Sequence, residues 1–118
     1  MTAKVLVVLG TSSSVGKSLL VAGFCHLFAR KGIRVAPYKA QNMSNNAAVC
    51  PDGSEIGRAQ ATQAIASGLE PHVDMNPVLI KPEADARSQV VVMGRPWKTL
   101  DASEYYPKKD FLWEKATA

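Results

Sequence analysis

Cysteine is scarce in this chain of 118 residues, with Cys25 and Cys50 alone. Two thiols so placed match neither the paired spacing of a zinc site nor a disulfide framework, so a stapled secreted scaffold is excluded. No apolar run approaches the roughly 20 residues of a membrane-crossing helix, and the amino terminus lacks the long apolar core of a secretory signal. The cytoplasm is therefore the expected compartment, and no membrane partner is expected. A basic stripe interleaved with aromatics is also missing. Lys and Arg are scattered, so the net charge of +4 implies a solvated surface that attracts small anions rather than a nucleic-acid interface. No repeat or low-complexity tract is present, and 47% hydrophobic residues in a chain of this length suit one domain with a single core at most.

Near the amino terminus, Val5-Leu6-Val7-Val8-Leu9 runs directly into Gly10-Thr11-Ser12-Ser13-Ser14-Val15-Gly16-Lys17-Ser18. An apolar strand feeding a small-residue loop that ends Gly-Lys-Ser is the layout of a phosphate-binding P-loop. Such a loop holds a triphosphate mainly through backbone N–H groups curled into a concave nest, helped by the positive end of the following helix. Small residues leave room for the phosphates. Lys17 is positioned to reach the β/γ-phosphate oxygens and the Ser18 hydroxyl to sit on magnesium. The expected ligands are ATP and Mg2+. The spacing departs from the usual four residues between glycines: five separate Gly10 from Gly16, and Thr11 stands where a glycine is expected. Either Thr11 takes backbone angles that glycine tolerates best, or the loop is one residue wider.

Lys4–Leu9 reads as a strand buried on both faces of a parallel sheet. Lys17–Lys31 reads as a helix with Leu20, Phe24, Leu27 and Phe28 toward the core, stopped by Gly32. Cys25 on its flank reads as a small buried hydrophobe and His26 as solvent-facing. Ile33–Tyr38 predicts a second strand. The polar segment Lys39–Asn46 then lies at its carboxyl end, where ligands bind in open α/β sheets. Lys39 in it is either a contact to the transferred phosphate or acceptor, or a plain surface lysine. Pro51-Asp52-Gly53 is turn chemistry between Ala47–Val49 and Ser54–Ile56. Glu55–Ser67 predicts an alanine-rich helix ended by Gly68. Gln60 and Gln63 share one of its faces, and a solvated face is a simpler reading than a site lining. Asn76–Pro82 and Ser88–Gly94 predict strands whose short connection implies an antiparallel hairpin. Leu100–Ala118 predicts a helix entered at Asp101 or Ser103.

A nucleotide hydrolase or kinase usually adds an acidic magnesium ligand at the end of a second apolar strand. Neither late strand supplies one, since Lys81 follows Ile80 and Gly94 follows Met93. Asp52, Glu55 and Asp85 sit in turn or capping contexts. With so few central strands, the chain reads as a truncated P-loop sheet.

The loop Gly10–Ser18, together with Pro37–Met43, Glu55–Ala61 and Pro71–Pro82, resembles the amino-terminal part of the cobyric acid synthase family, and the resemblance runs from Val5 to about Tyr106. The five-spacer loop is shared with dethiobiotin synthetases and cobyrinate diamide synthases, and the other blocks are the more specific ones. The resemblance implies an α/β fold of the P-loop NTPase type, dethiobiotin synthetase-like. That fold is a three-layer sheet with helices on both faces, of which residues 1–118 are the amino-terminal portion of an ATP-binding amidoligase domain. It implies ATP-dependent amidation of the b, d, e and g carboxylates of adenosylcobyrinic acid a,c-diamide in cobalamin synthesis. Ammonia derived from glutamine would attack an acyl phosphate. Lys17 and Lys39 would be catalytic, Gly10 to Ser18 would hold ATP, Ser18 the metal, and Gln41, Asn42 and Arg58 the substrate side. The family's Glu-Gly-Ala-Gly strand and its glutaminase domain have no counterpart in these residues, and neither cysteine resembles its nucleophile. The chain alone is thus expected to bind ATP weakly or not at all and not to amidate.

Rival readings are a dethiobiotin synthetase-like or diamide synthase ligase, a partition-type ATP switch, and a non-catalytic nucleotide-binding fragment. The Gln41-Asn42-Met43 and Asn76–Pro82 blocks disfavour the first. The switch carries an extra lysine near the loop's start, where Thr11 and Ser12 stand here.

Overall fold

The computed structural model describes residues 2–118. Four strands form the main sheet in the order β1 (Gln41–Met43), β4 (Val78–Pro82), β5 (Ser88–Val92), β6 (Arg95–Leu100). The β1–β4 pair is parallel and the other two are antiparallel. Two short strands, β2 (Ala47–Val49) and β3 (Glu55–Gly57), make a separate hairpin around the expected Pro51-Asp52-Gly53 turn. The helices are α1 (Lys17–Arg30), α2 (Arg58–Ala66), α3 (Ala102–Tyr105) and α4 (Lys109–Thr117), the last two joined by a 3-10 turn through Pro107.

Strand alternation sorts the sheet's two faces. Val78, Ile80 and Val90 point to one side and are buried with Leu100 and with Leu112 of α4. Asn42, Leu79 and Val91 share a register line on the opposite face, the face toward β3. There Lys81 pairs with Glu55 at 2.6 Å. Helix α2 packs beside the β2–β3 hairpin, and α1 packs on α2. The result is an α/β arrangement with helices on both sides of a mixed sheet. The β5–β6 turn has both central residues at positive φ, Met93 and Gly94, which matches the strands' right-handed twist.

Several sequence expectations are corrected. Lys4–Leu9 and Ile33–Tyr38 form no strand; Val5 and Leu9 are 83% and 85% exposed. A β-prone run becomes a strand only where a neighbour supplies ladder partners, and among the described residues none lies beside either run. On α1 the expected core positions Leu20 and Leu27 are exposed, Phe24 and Phe28 are half-buried, and Cys25 is the buried residue. Exposed His26 is as expected. Helix α2 starts at Arg58 rather than Glu55, because Glu55–Gly57 is claimed by pairing with Ala47–Val49. Gln41–Met43, in a segment with no period, is an edge strand held by β4, and Arg95–Leu100 is a strand before the last helical segment begins. That segment does start at Asp101, which forms a capping box with Glu104.

One buried carboxamide fastens three segments together. Asn76 is 1% exposed. Its Oδ1 accepts from the Gly57 N–H at 2.9 Å, and its Nδ2 donates to the Lys39 and Val78 carbonyls, each at 3.0 Å. Asn76→Ala would leave these groups unpaired, costing about 2–4 kcal/mol and lowering the melting midpoint by on the order of 10 °C. Thermal unfolding followed by circular dichroism checks this.

The Ser103 hydroxyl, then the Glu104 N–H, hold the Asp101 carboxyl below its ordinary range. A depressed folded pKa means stabilisation present above the unfolded value of about 3.9 and lost as pH falls through the lower folded value. The melting midpoint of Asp101→Ala should therefore lie below that of the wild type at pH 7, with the gap closing under acid below about pH 4. A pH series of melts reads the outcome.

Candidate functional site

The loop entering α1 bends at two positive-φ residues, Ser14 at 59° and Gly16 at 102°. Thr11 is not among them, so the extra residue widens the loop at Ser14 instead of straining Thr11. Gly16 is the N-cap of α1, and no side chain caps that helix. Its first-turn N–H groups are therefore left for an outside acceptor. Among the described residues, no group takes a well-aligned hydrogen bond from the backbone N–H of Ser12, Ser13, Ser14, Gly16, Lys17 or Ser18. The Lys17 ammonium folds back over the loop and donates to the Ser12 carbonyl at 2.8 Å. Gly10 makes this possible. A Cβ there would lie 2.8 Å from Val15 Cγ2 and 3.0 Å from Lys17 Cδ and Nζ.

Loop, ammonium and helix end thus form a surface of donors with few acceptors. Such a surface binds an anion bearing several oxygens. This donor set fits a triphosphate, and the exposed Ser18 fits a metal bound beside it.

Helix α2 connects this loop to Lys39. From α2, Gln63 Nε2 donates to the Ser18 carbonyl at 3.0 Å. One turn earlier, Gln60 Oε1 accepts from Asn42 Nδ2 at 3.1 Å, and Asn42 Oδ1 accepts from the Lys39 ammonium at 2.9 Å. Gln60 and Gln63 are 3% and 4% exposed, so the solvated face expected for them is not what the structure has. Their polarity is spent on polar groups inside. Polar residues at helical spacing within a small-residue helix were the available signal, and Asn76 had no comparable one.

The three residues expected on the substrate side go to different places. Asn42 is buried toward α2. Gln41, its neighbour on the strand, faces the other side of the sheet, where its Oε1 accepts from the Tyr105 hydroxyl. A groove of about 520 Å³ opens there, lined in part by Gln41, Val78, Tyr105, Lys109, Leu112 and Trp113. Burial raises the Tyr105 phenol above its ordinary pKa. Arg58 is exposed at the start of α2, and its backbone N–H and guanidinium donate to the Asn46 and Ala47 carbonyls, each at 2.9 Å.

The acidic candidates are engaged elsewhere. Asp52 accepts from the Ser54 N–H and hydroxyl in its turn, Glu55 pairs with Lys81, and Asp85 sits at φ 61° in the β4–β5 loop. Among the described residues, no three His, Cys, Asp or Glu side chains gather as a metal site. Burial pushes the Cys50 thiol up from its ordinary value, the opposite of an activated nucleophile.

Residues 6–106 match the family described as CobQ/CobB/MinD/ParA nucleotide binding domain. The chain is 62% identical over 117 residues to the cobyric acid synthase of Roseiflexus castenholzii and 61% identical over 117 residues to that of Chloroflexus aggregans. With the cobyric acid synthase of Desulforudis audaxviator it shares 60% over 118 residues. These alignments cover 99–100% of this chain but 24% of each relative, so the chain spans about a quarter of the length of the curated relatives it matches. No solved structure matches it. With its loop geometry and the match over residues 6–106, the chain belongs to the CobQ/CobB/MinD/ParA nucleotide-binding domain family.

Proposed function

We propose that this chain is the ATP-binding part of a glutamine-dependent cobyric acid synthase, a ligase of cobalamin synthesis. Residues 1–118 would be the amino-terminal portion of its amidoligase domain, in a cytoplasmic protein whose glutaminase domain supplies ammonia. The observation that carries the reading is the loop: free amides at Ser12, Ser13, Ser14, Gly16, Lys17 and Ser18, two positive-φ bends, and Lys17 lying across a glycine. The named relatives supply the reaction class.

In this reading Gly10 to Ser18 cradle the triphosphate, Lys17 leaves the Ser12 carbonyl for a phosphate oxygen, and the Ser18 hydroxyl holds magnesium. Magnesium supplies charge neutralisation at the phosphates. A side-chain carboxylate of the corrinoid attacks the γ-phosphorus, the bond to the bridging β-oxygen breaks, and ADP leaves. Lys39 meets the charge that builds on the transferred phosphoryl group, since such transfer is mainly positioning and electrostatics. Ammonia then attacks the acyl carbon and phosphate departs with its electron pair, leaving the amide after proton loss. Gln41, Asn42 and Arg58 would be the substrate-side residues, although Gln41 faces across the sheet from Asn42. Arg58 and Gln41 would each exchange a protein partner for substrate, whereas buried Asn42 acts from beneath Lys39.

Two experiments test the reading. Phosphorus NMR of Mg-ATP titrated with this chain should show a weak, millimolar-range shift of the β and γ signals, lost in Lys17→Ala. A response equal in both proteins, or none in either, would leave a structural piece only. For the reaction, this chain replaces the matching quarter of the Roseiflexus castenholzii relative. The chimaera should amidate adenosylcobyrinic acid a,c-diamide, and Lys17→Ala or Lys39→Ala within it should lower kcat by about 10²-fold or more. A folded, ATP-binding chimaera that makes no amide sinks the amidation reading.

A further inference from the structure

We propose that Gln60 is a positioning residue that fixes the Lys39 ammonium through Asn42. The inference rests on Lys39 belonging to the proposed site, but its geometry stands independently of any ligand.

The chain of contacts has one chemically allowed sense. A lysine ammonium only donates, so the Asn42 oxygen must face Lys39, where it lies at 2.9 Å. The Asn42 amide nitrogen is then left to donate, and it does so to Gln60 Oε1 at 3.1 Å. The carboxamide at residue 60 thereby locks the orientation of the one at residue 42, which sets where the lysine's acceptor sits. Asn42 and Gln60 are 8% and 3% exposed, so water does not substitute easily for either partner.

A second observation points the same way. Gly57 has φ −59°, an angle any residue adopts, so its backbone does not demand glycine. Space does. A Cβ at Gly57 would collide with Asn42 Nδ2 and lie 2.6 Å from Gln60 Oε1. The missing side chain makes room for this amide pair. The lysine's backbone is fixed as well, because its carbonyl accepts from Asn76 and its N–H donates to the Met75 carbonyl at 2.9 Å. Lys39 is thus held at both ends, with Gln60 the last link on the side-chain end. Since Gln63 on the same helix grips the Ser18 carbonyl, a shift of α2 would move Lys39 and the phosphate loop together.

The test reads Lys39 directly in this chain without nucleotide, by carbon-13 relaxation of lysine ε-methylenes. In wild type the Lys39 order parameter should exceed those of exposed Lys4 and Lys31 by about twofold. Equal values overturn the proposal without any variant. In Gln60→Leu, with a folded amide spectrum, the Lys39 value should drop to that of Lys4, whereas Gln60→Glu, which keeps the acceptor, should retain it. An unchanged Lys39 in folded Gln60→Leu, or a mobile Lys39 in folded Gln60→Glu, overturns the proposal. A purely structural glutamine would lower the melting midpoint without moving this signal. Loss of nucleotide binding leaves the readout untouched, so failure of the functional reading and failure of this one are distinguishable.

Discussion

The Asn76 side chain is the interaction on which the rest of the architecture depends. Gly57 ends the β2–β3 hairpin and caps α2, Lys39 leads into β1, and Val78 opens β4. One buried carboxamide bonds to the backbone of all three. Backbone groups buried without partners are costly, and at these junctions the Asn76 carboxamide supplies partners. An apolar residue of similar size would fill the space but leave the groups unpaired. Because the hub joins the start of α2 to the segment carrying Lys39, the separation of the phosphate loop and that lysine is set by packed structure rather than by a free loop.

Helix α2 carries this constraint outward. Its apolar face is mostly alanine, and Ala61 and Ala64 are buried, which lets neighbouring segments approach closely. Close approach brings Gln60 and Gln63 within reach of Asn42 and of Ser18. Longer apolar side chains would have kept α1 and β1 farther away. Two glutamines one turn apart in a tight helix thus turn a packing element into a link between two polar segments. No buried side-chain nitrogen or oxygen among the described residues is left without a partner, and these contacts satisfy the two glutamines.

What was legible in the sequence follows the range of the interactions involved. Gly10–Ser18 is a local pattern, and its bends at Ser14 and Gly16 follow from small residues and spacing. The Asp101 cap and the Pro51-Asp52-Gly53 turn are equally local. Lys4–Leu9 and Ile33–Tyr38 have strong strand composition, yet a strand is a property of a pair, and composition cannot state who the neighbour is. The same non-locality works in reverse for Gln41–Met43, which has no period but pairs with β4. Asn76 looked like the start of a strand because nothing in the neighbouring letters reveals a partner at Gly57 or Lys39. Gln60 and Gln63 were visible as polar residues out of place, but their direction inward depends on what packs against α2.

The lysines of this chain differ in a way that bears on the site. Lys81 donates to a carboxylate, that of Glu55, and the half-buried pair is neutral as a unit. Lys17 and Lys39 instead donate to neutral oxygens, the Ser12 carbonyl and the Asn42 amide. No carboxylate of the described residues lies within ion-pair distance of either. An anion approaching Lys81 would have to break an ion pair, with a charge left behind. An anion approaching Lys17 or Lys39 displaces one neutral acceptor and gains a charge-assisted bond, the stronger of the two. Neutral partners therefore hold each ammonium in place while leaving its charge uncompensated. That combination would suit a group that meets a phosphate on arrival: fixed in direction, with no carboxylate paired to it.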